Sequence, residues 1–418
     1  MSTQASLAPL AHQPFRWLLA ARTTAVLGNF VAPVAVAFAV LDLTGSPAAL
    51  GLVLAARSLP QVVFMLAGGV VADRFPRRTV IIVAATVSAV SQAAAAAAVL
   101  TGAAGVGLLV AIEAVNGAAA AFICPAAAGL TPLTVPSTML QPANALLRMG
   151  MSGGMILGSA LGGMLVAVVG PGWGLAVDAA TFALAALLLV PLRVPSTTRA
   201  ESTSAWHDLR DGWSEFSSRT WVWTVVLAFA LVNGVIAATM GVLGPVIADD
   251  SIGRASWGLV LAAQSVGLVL GGVVSLRLPM RHPLRVGLVS VLLAAPFFVV
   301  LALAPALLPL AVLALLAGLG IEVFSVGWDV SLQEHIPTDR LSRVYSYDML
   351  GSFAMVPLGQ IMVGPVAAAV GAPATVLSVV AVSTACLLAV LAVPSVHNLG
   401  RRSGAQAGTS PAAAAGHS

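Results

Sequence analysis

The chain has 418 residues, of which 59% are hydrophobic and 8% charged, with a net charge of +4. Soluble domains carry roughly 25% charged residues, so this composition excludes a water-soluble globular surface and requires that most of the surface face lipid. All 19 basic residues are arginine, and most of them fall in short loops between apolar runs, where they set membrane orientation and argue against a nucleic-acid partner.

A bilayer-crossing helix needs about 20 apolar residues. The first apolar stretch, Trp17 to Leu41, is too long for a signal h-region and lacks a clear cleavage site, so it is expected to be a retained span. In chain order the spans fall near 15–41, 48–72, 78–100, 105–130, 141–169, 173–193, 221–247, 256–277, 284–304, 307–330, 342–370 and 373–393. Thr44-Gly45-Ser46-Pro47, Thr101-Gly102, Gly170-Pro171-Gly172 and Gly371-Ala372-Pro373 mark tight turns between them.

Arginine placement orients these spans. With a cytoplasmic N-terminus, that side receives Arg16, Arg74, Arg77, Arg78, Arg193, Arg199, Arg210, Arg219, Arg277, Arg281, Arg285, Arg340, Arg343, Arg401 and Arg402. The opposite side receives only Arg254, next to Asp249 and Asp250. The asymmetry places both termini in the cytoplasm and supports an even number of spans in the cell inner membrane.

The sizeable loop, 194–220, carries Trp206, Leu209, Trp213 and Phe216 at helical steps, with Arg210, Asp211 and Glu215 between them. That pattern reads as a cytoplasmic amphipathic helix at the membrane surface. Around it the halves repeat. Gly51-Leu52-Val53-Leu54-Ala55-Ala56 recurs as Gly258-Leu259-Val260-Leu261-Ala262-Ala263. Gly117, Pro136, Leu140, Gly150, Gly158 and Gly163 are matched at constant spacing by Gly318, Pro337, Leu341, Gly351, Gly359 and Gly364. The expected fold is therefore an all-α membrane protein of about twelve transmembrane helices in two six-helix pseudo-repeat bundles, a transporter architecture. Its expected divisions are residues 1–195 and 220–395, a linker at 196–219 and a disordered cytoplasmic tail at 396–418.

Charged residues at membrane depth cost at least about 2.5–3.5 kcal/mol each and are functional candidates. Here they are Arg22, Arg57, Glu113, Arg148, Asp178, Glu322, Asp329 and Asp348. Glu113 and Glu322 are the proton-coupling candidates, since burial disfavours an ionised carboxyl. Glu113 reads alternatively as the structural partner of an arginine such as Arg22 or Arg57. Asp329 and Asp348 are expected to pair with Arg340 or Arg343 in a gate, and Asp178 to make structural hydrogen bonds. Asn29, Asn116, Asn233, Phe324 and Trp328 are cavity-wall candidates, with helix packing as the competing role for the amides. An apolar cavity with few polar groups suits a lipophilic ligand.

Two segments carry a family resemblance. Gly68 to Arg78 reads first as a positive-inside loop whose Asp73 sits at a helix end. It resembles the signature loop of the major facilitator superfamily, G-x-L-a-D-r-x-G-r-k, with Gly69, Asp73, Arg74, Arg77 and Arg78 fitting and Pro76 where the family commonly has Gly. The resemblance implies that Asp73 contacts the start of span eleven and helps latch the cytoplasmic side. Gly154, Gly158, Gly162 and Gly163 form a small-residue face that suits close helix packing. The face also resembles the family's antiporter motif, G-x-x-x-G-P-x-x-G-G, with Ser159 in place of Pro, and this implies export.

Leu43-Thr44-Gly45-Ser46-Pro47, Val177-Asp178-Ala179-Ala180-Thr181-Phe182 and Leu332-Gln333-Glu334-His335-Ile336-Pro337 resemble the branch of bacterial drug and siderophore exporters that includes enterobactin and macrolide exporters. Two departures stand out. The family's span-four motif R-x-x-q-G aligns as Glu113-Ala114-Val115-Asn116-Gly117, and the Gly-Asp of span one is Gly28-Asn29.

The sequence holds no Walker motif, HExxH, G-x-S-x-G, CxxC pair or zinc spacing, so neither an enzyme, a metal site nor a bound cofactor is expected. The expected function is proton-coupled efflux of small amphipathic compounds by alternating access, energised by the proton gradient. A nutrient uptake carrier and a transport-inactive membrane sensor are the alternatives. Small-molecule substrate, protons and lipid are the expected partners of a monomer.

Overall fold

The computed structural model describes residues 7–128, 130–194, 213–277 and 280–400. Among these, twelve helices are long and apolar enough to cross a bilayer. They are α1 (Gln13–Thr44), α2 (Pro47–Arg74), α3 (Arg77–Leu100), α4 (Val106–Ala128), α5 (Leu140–Val169) and α6 (Pro171–Leu189) in the first half. The second half holds α7 (Thr220–Asp250), α8 (Arg254–Arg277), α9 (Pro283–Leu303), α10 (Leu307–His335), α11 (Arg343–Val370) and α12 (Ala372–Ala392). Lipid offers no water to backbone N–H and C=O groups, so apolar runs of this length satisfy them within one helix.

The order follows the expected spans, with differences at the ends. α10 continues past the expected residue 330 to His335. α7, α9 and α11 are each interrupted, by a π turn at Thr239–Leu243, a 3-10 turn at Leu292–Ala294 and a break at residues 354–355. Pro245, Pro296 and Pro357 follow these points, and each lacks the N–H that would bond four residues back. Trp206 and Leu209 of the expected surface helix lie outside the described residues. Residues 213–218 are helical, and Glu215 accepts bonds there from Arg219 and Arg340. Burial works against its charge, but these arginine bonds outweigh it and hold the carboxyl below its ordinary range.

The repeat is a repeat of packing. A Cβ on Gly117 of α4 would collide with the Arg57 backbone of α2, and one on Gly318 of α10 would collide with the Gln264 backbone of α8. The two glycines therefore hold equivalent helix pairs at backbone contact.

Across the halves α5 packs on α8 and α2 on α11. At the end of the bundle away from the termini, one apolar cluster takes Phe38, Leu50 and Val53 from the first half and Leu243, Trp257 and Val363 from the second. At the terminal end the clusters are separate. Phe15, Leu18 and Leu192 belong to one, and Trp221, Trp328 and Val396 to the other. Gly163 meets Gly258, and Gly364 meets Ala48, both at the far end.

A charged bridge caps that seal. Arg254 at the start of α8 donates to Asp42 at the end of α1 at 2.9 and 2.5 Å. It also donates to Asp249 at 2.8 and 3.0 Å and lies 4.7 Å over the Phe38 ring.

Two outcomes are expected. Gly117→Val and Gly318→Val should each cost about 1–3 kcal/mol through overpacking, measured as lowered thermal stability in detergent, whereas Gly153→Val, which meets nothing within 4 Å, should cost little. Arg254→Gln should loosen the far end. Spin labels at Leu43 and Ser251, with Cys124 and Cys386 replaced by serine, should then report longer separations. An unchanged distribution would show that the apolar cluster holds this end by itself.

Candidate functional site

The polar groups inside the first bundle converge. Gly117 presses α4 against the backbone of Arg57, and Glu113 lies one turn away on the same helix. Arg57 Nη1 is consequently 3.5 Å from Glu113 Oε2, with Glu113 only 2% exposed. Arg57 Nη2 donates to Asn29 Oδ1 of α1 at 3.2 Å. Gln92 Nε2 of α3 donates to Glu113 Oε1 at 3.2 Å. One guanidinium thus ties α1, α2 and α4 together, and an amide adds α3.

This cluster stands at the inner end of a cleft of about 300 Å³. Arg22, Asn29, Arg57 and Gln61 supply its polar lining, and Ile81 and Phe182 are among its apolar walls. Leu18, Ile81, Ala127 and Leu189 also line it. They lie near the terminal ends of α1, α3, α4 and α6, so the cleft leads from the polar cluster toward that end. Counting about 1.5 Å per residue from the far-end starts of α4 and α6, Glu113 and Asp178 sit at equal depth.

The expected residues separate into groups. Asn29 lines the cleft, but Asn116 is fully buried and neither of its amide atoms is bonded. Asn233 donates to the Ser352 carbonyl at 3.0 Å inside the second half. Phe324 and Trp328 are buried in that half's core, and Phe324 stacks on Phe229 with ring centres 4.0 Å apart. They are packing residues and not an open cavity wall. Glu322 is not brought to Glu113. It packs against Gly271 of α8, where the charge of Arg148 on α5 reaches it across the halves.

Asp348 accepts from Trp328 Nε1 at 2.8 Å and from Ser352 at 3.0 Å, while Asp329 accepts from Tyr345 at 2.9 Å. Among the described residues Arg340 bonds Glu215 at 2.7 Å, and the donors that reach Asp348 are aromatic and hydroxyl groups on neighbouring turns. Asp178 also departs from expectation, because among the described residues neither of its carboxylate oxygens has a hydrogen-bond partner.

Gly154, Gly158 and Gly162 all face α1, at Thr23, Leu27 and Val31, and Gly163 turns to Gly258 of the other half. The glycine face is thus a seam within the first bundle, with its last residue at the junction of the halves. Gly69 and Asp73 lie on α2, but their side chains are outside the described residues. Arg74 and Phe75 are exposed at the end of α2. Arg78 donates to the carbonyls of Leu189, at 2.9 Å, and Val190 at the end of α6, where a cation complements the helix dipole. Gln92 and Asp42 escaped the sequence reading. Their signals were an isolated amide in the alanine-rich α3 and an isolated acid at the far end of α1.

The Major Facilitator Superfamily profile matches residues 18–360. The multidrug efflux pump Tap of Mycobacterium tuberculosis is 26% identical over 396 residues, covering 91% of this chain and 94% of that protein. The enterobactin exporter EntS of Escherichia coli is 26% identical over 381 residues, covering 86% of this chain and 88% of that protein. In fold, the chain is similar to an inward-facing bacterial homolog of the human lysosomal transporter Spinster, with a TM-score of 0.73 and 16% identity over 94% of this chain and 99% of that one. The nucleoside transporter NupG gives a TM-score of 0.70 at 16% identity over 90% of this chain and 98% of that one.

Replacing Arg57 with Met strands the Glu113 carboxylate. The expected loss of stability is roughly 3 kcal/mol, the cost of breaking a buried pair from one side. Glu113→Gln in the same protein should restore much of it. A double-mutant cycle by thermal unfolding checks this, and additive losses would show that the pair is not coupled.

Proposed function

Because the chain belongs to the major facilitator superfamily, we propose that this transporter exports small lipophilic cations in exchange for protons. The Arg57–Glu113 pair at the head of the cleft carries this reading. Export is supported by the similarity to the efflux pump Tap and the enterobactin exporter EntS and by the small-residue face of α5.

Arginine distribution makes the terminal end cytoplasmic, so the sealed end is external and the cleft is reached from the cytoplasm. With Glu113 ionised, the pair is neutral and a cation can enter an apolar cleft. With Glu113 protonated, Arg57 is left uncompensated and repels the cation. Proton and cation therefore exclude each other, which is the coupling an antiporter needs. The shift between conformations comes from this difference in affinity between states. Opening of the external end requires the Arg254 bridge and the junctional cluster to part, while the cytoplasmic clusters close on each other.

Proteoliposomes with an acidic lumen test the reading. Tetraphenylphosphonium, whose charge does not titrate, is supplied outside. The parent protein should accumulate it, and Glu113→Gln should fall to the level of empty liposomes. Accumulation that survives the substitution would move the coupling site to Glu322. Accumulation only with the gradient reversed would make the protein an uptake carrier.

A further inference from the structure

We propose that Asp178 is a second proton-binding group of this site, forming with Glu113 a carboxyl pair around Arg57. The inference rests on the exporter reading for its consequence, but it stands on its own observation. Asp178 has no exposed surface, and neither of its side-chain oxygens has a hydrogen-bond partner among the described residues. The nearby Thr181 hydroxyl does not serve the carboxyl; it donates to the Asp178 backbone carbonyl at 2.7 Å.

Room for the group is built into α1. A Cβ on Gly28 would stand 2.6 Å from Asp178 Oδ1, so the backbone beside Asn29 lies open to the carboxyl. The charges that reach it are those of Arg57 from α2 and Glu113 from α4. Helices α1, α3 and α5 also pack on α6. The other ionisable residues of these helices are Arg16, Arg22, Asp42, Arg77, Arg78 and Arg148, all toward the helix ends. α6 itself carries no second ionisable side chain. Ser88 and Asn116, one turn from Gln92 and Glu113, are likewise buried with unbonded side-chain atoms. Polar atoms therefore continue beyond the two carboxyls.

A structural carboxyl in an apolar core is normally hydrogen-bonded, and a neutral residue of similar size fills the same space at lower cost. What the carboxyl adds is a second titrating charge. Arg57 offsets a single carboxylate. With both acids ionised, the cluster carries one net negative charge and holds a monovalent cation. With a proton on Asp178 it becomes the neutral Arg57–Glu113 pair, which still admits a cation, and with a proton on both acids it repels the cation. Each binding step forms one O–H bond at a carboxylate oxygen. The proton comes from water on the external side and leaves to water on the cytoplasmic side.

pH-dependent infrared difference spectroscopy on the reconstituted full-length protein tests the proposal without a ligand. The parent should show a protonated-carboxyl band that titrates and that moves when aspartate is labelled with 13C at its side-chain carboxyl. Asp178→Asn should remove that band. Asp178→Glu should restore a titrating band that the aspartate label no longer moves, which keeps the test available if the asparagine variant fails to fold. Glu113→Gln should retain the band and shift its midpoint.

In the liposome assay, Asp178→Asn should lower the number of protons released per tetraphenylphosphonium taken up. A band unaffected by Asp178→Asn, or no label-sensitive carboxyl in the parent, overturns the proposal. Loss of flux in Glu113→Gln alone, with flux, proton count and band intact in Asp178→Asn, leaves the exporter reading standing and removes Asp178 from it. A titrating Asp178 band in a protein with no proton-driven flux would do the reverse.

Discussion

A guanidinium held at mid-depth in a bilayer must have a counter-charge, and the pairing of Arg57 with Glu113 meets that requirement. Its geometry is set by backbone. α4 touches α2 at Gly117, directly on the Arg57 main chain, and this places Glu113, one helical turn back, within reach of the guanidinium. Any side chain at Gly117 would part the helices and strand both charges. The tight packing of the first bundle and its electrostatics therefore depend on the same contact.

The second half keeps the packing and drops the charge. Gly318 touches Gln264 as Gly117 touches Arg57, but the positions matching Glu113 and Asn116 are Ala314 and Ala317. Several polar groups there are bonded locally: Asp348 by Trp328 and Ser352, Asp329 by Tyr345, and Asn233 by a backbone carbonyl, while Ser383 and Ser395 keep unbonded buried hydroxyls. The unbonded buried atoms of carboxyls and amides gather around Gln92, Glu113, Asn116 and Asp178 in the first half. The scaffold is pseudo-symmetric, but the buried Arg57–Glu113 pair and the unbonded Asp178 carboxyl lie in the first bundle. The second bundle's three broken helices, α7, α9 and α11, fit that division, since an interrupted helix bends more readily than a continuous one.

The conformation ties the site to the direction of access. A single apolar cluster spans both halves at the far end, whereas each half has its own cluster at the terminal end. Arg254, the lone arginine of its side among the described residues, bridges Asp42 and Asp249 across the seal. That bridge is partly exposed, so it contributes little to stability by itself. The cleft below Arg57 faces the other way, toward the end where the halves have separate cores.

Much of this was legible in residues taken one after another. Helix number and order follow from apolar run length, a local property, because a helix in lipid satisfies its own backbone without help from distant segments. The repeat was readable too, since Gly51, Gly117 and Gly163 recur with their neighbours as Gly258, Gly318 and Gly364. Glu113 could be singled out as an acid at depth, with Arg57 as a possible partner. What the sequence could not decide was which polar groups meet. Asn29, Arg57, Gln92, Glu113 and Asp178 sit on five different helices, and neither helix rotation nor the glycine contacts that fix it are properties of one segment. For the same reason Phe324 and Trp328 turned out to be core, Glu322 stood apart from Glu113, and Asp178 proved to be a carboxyl without a partner. A pair of charges is chosen by how helices pack against one another, and only the tertiary structure sets that.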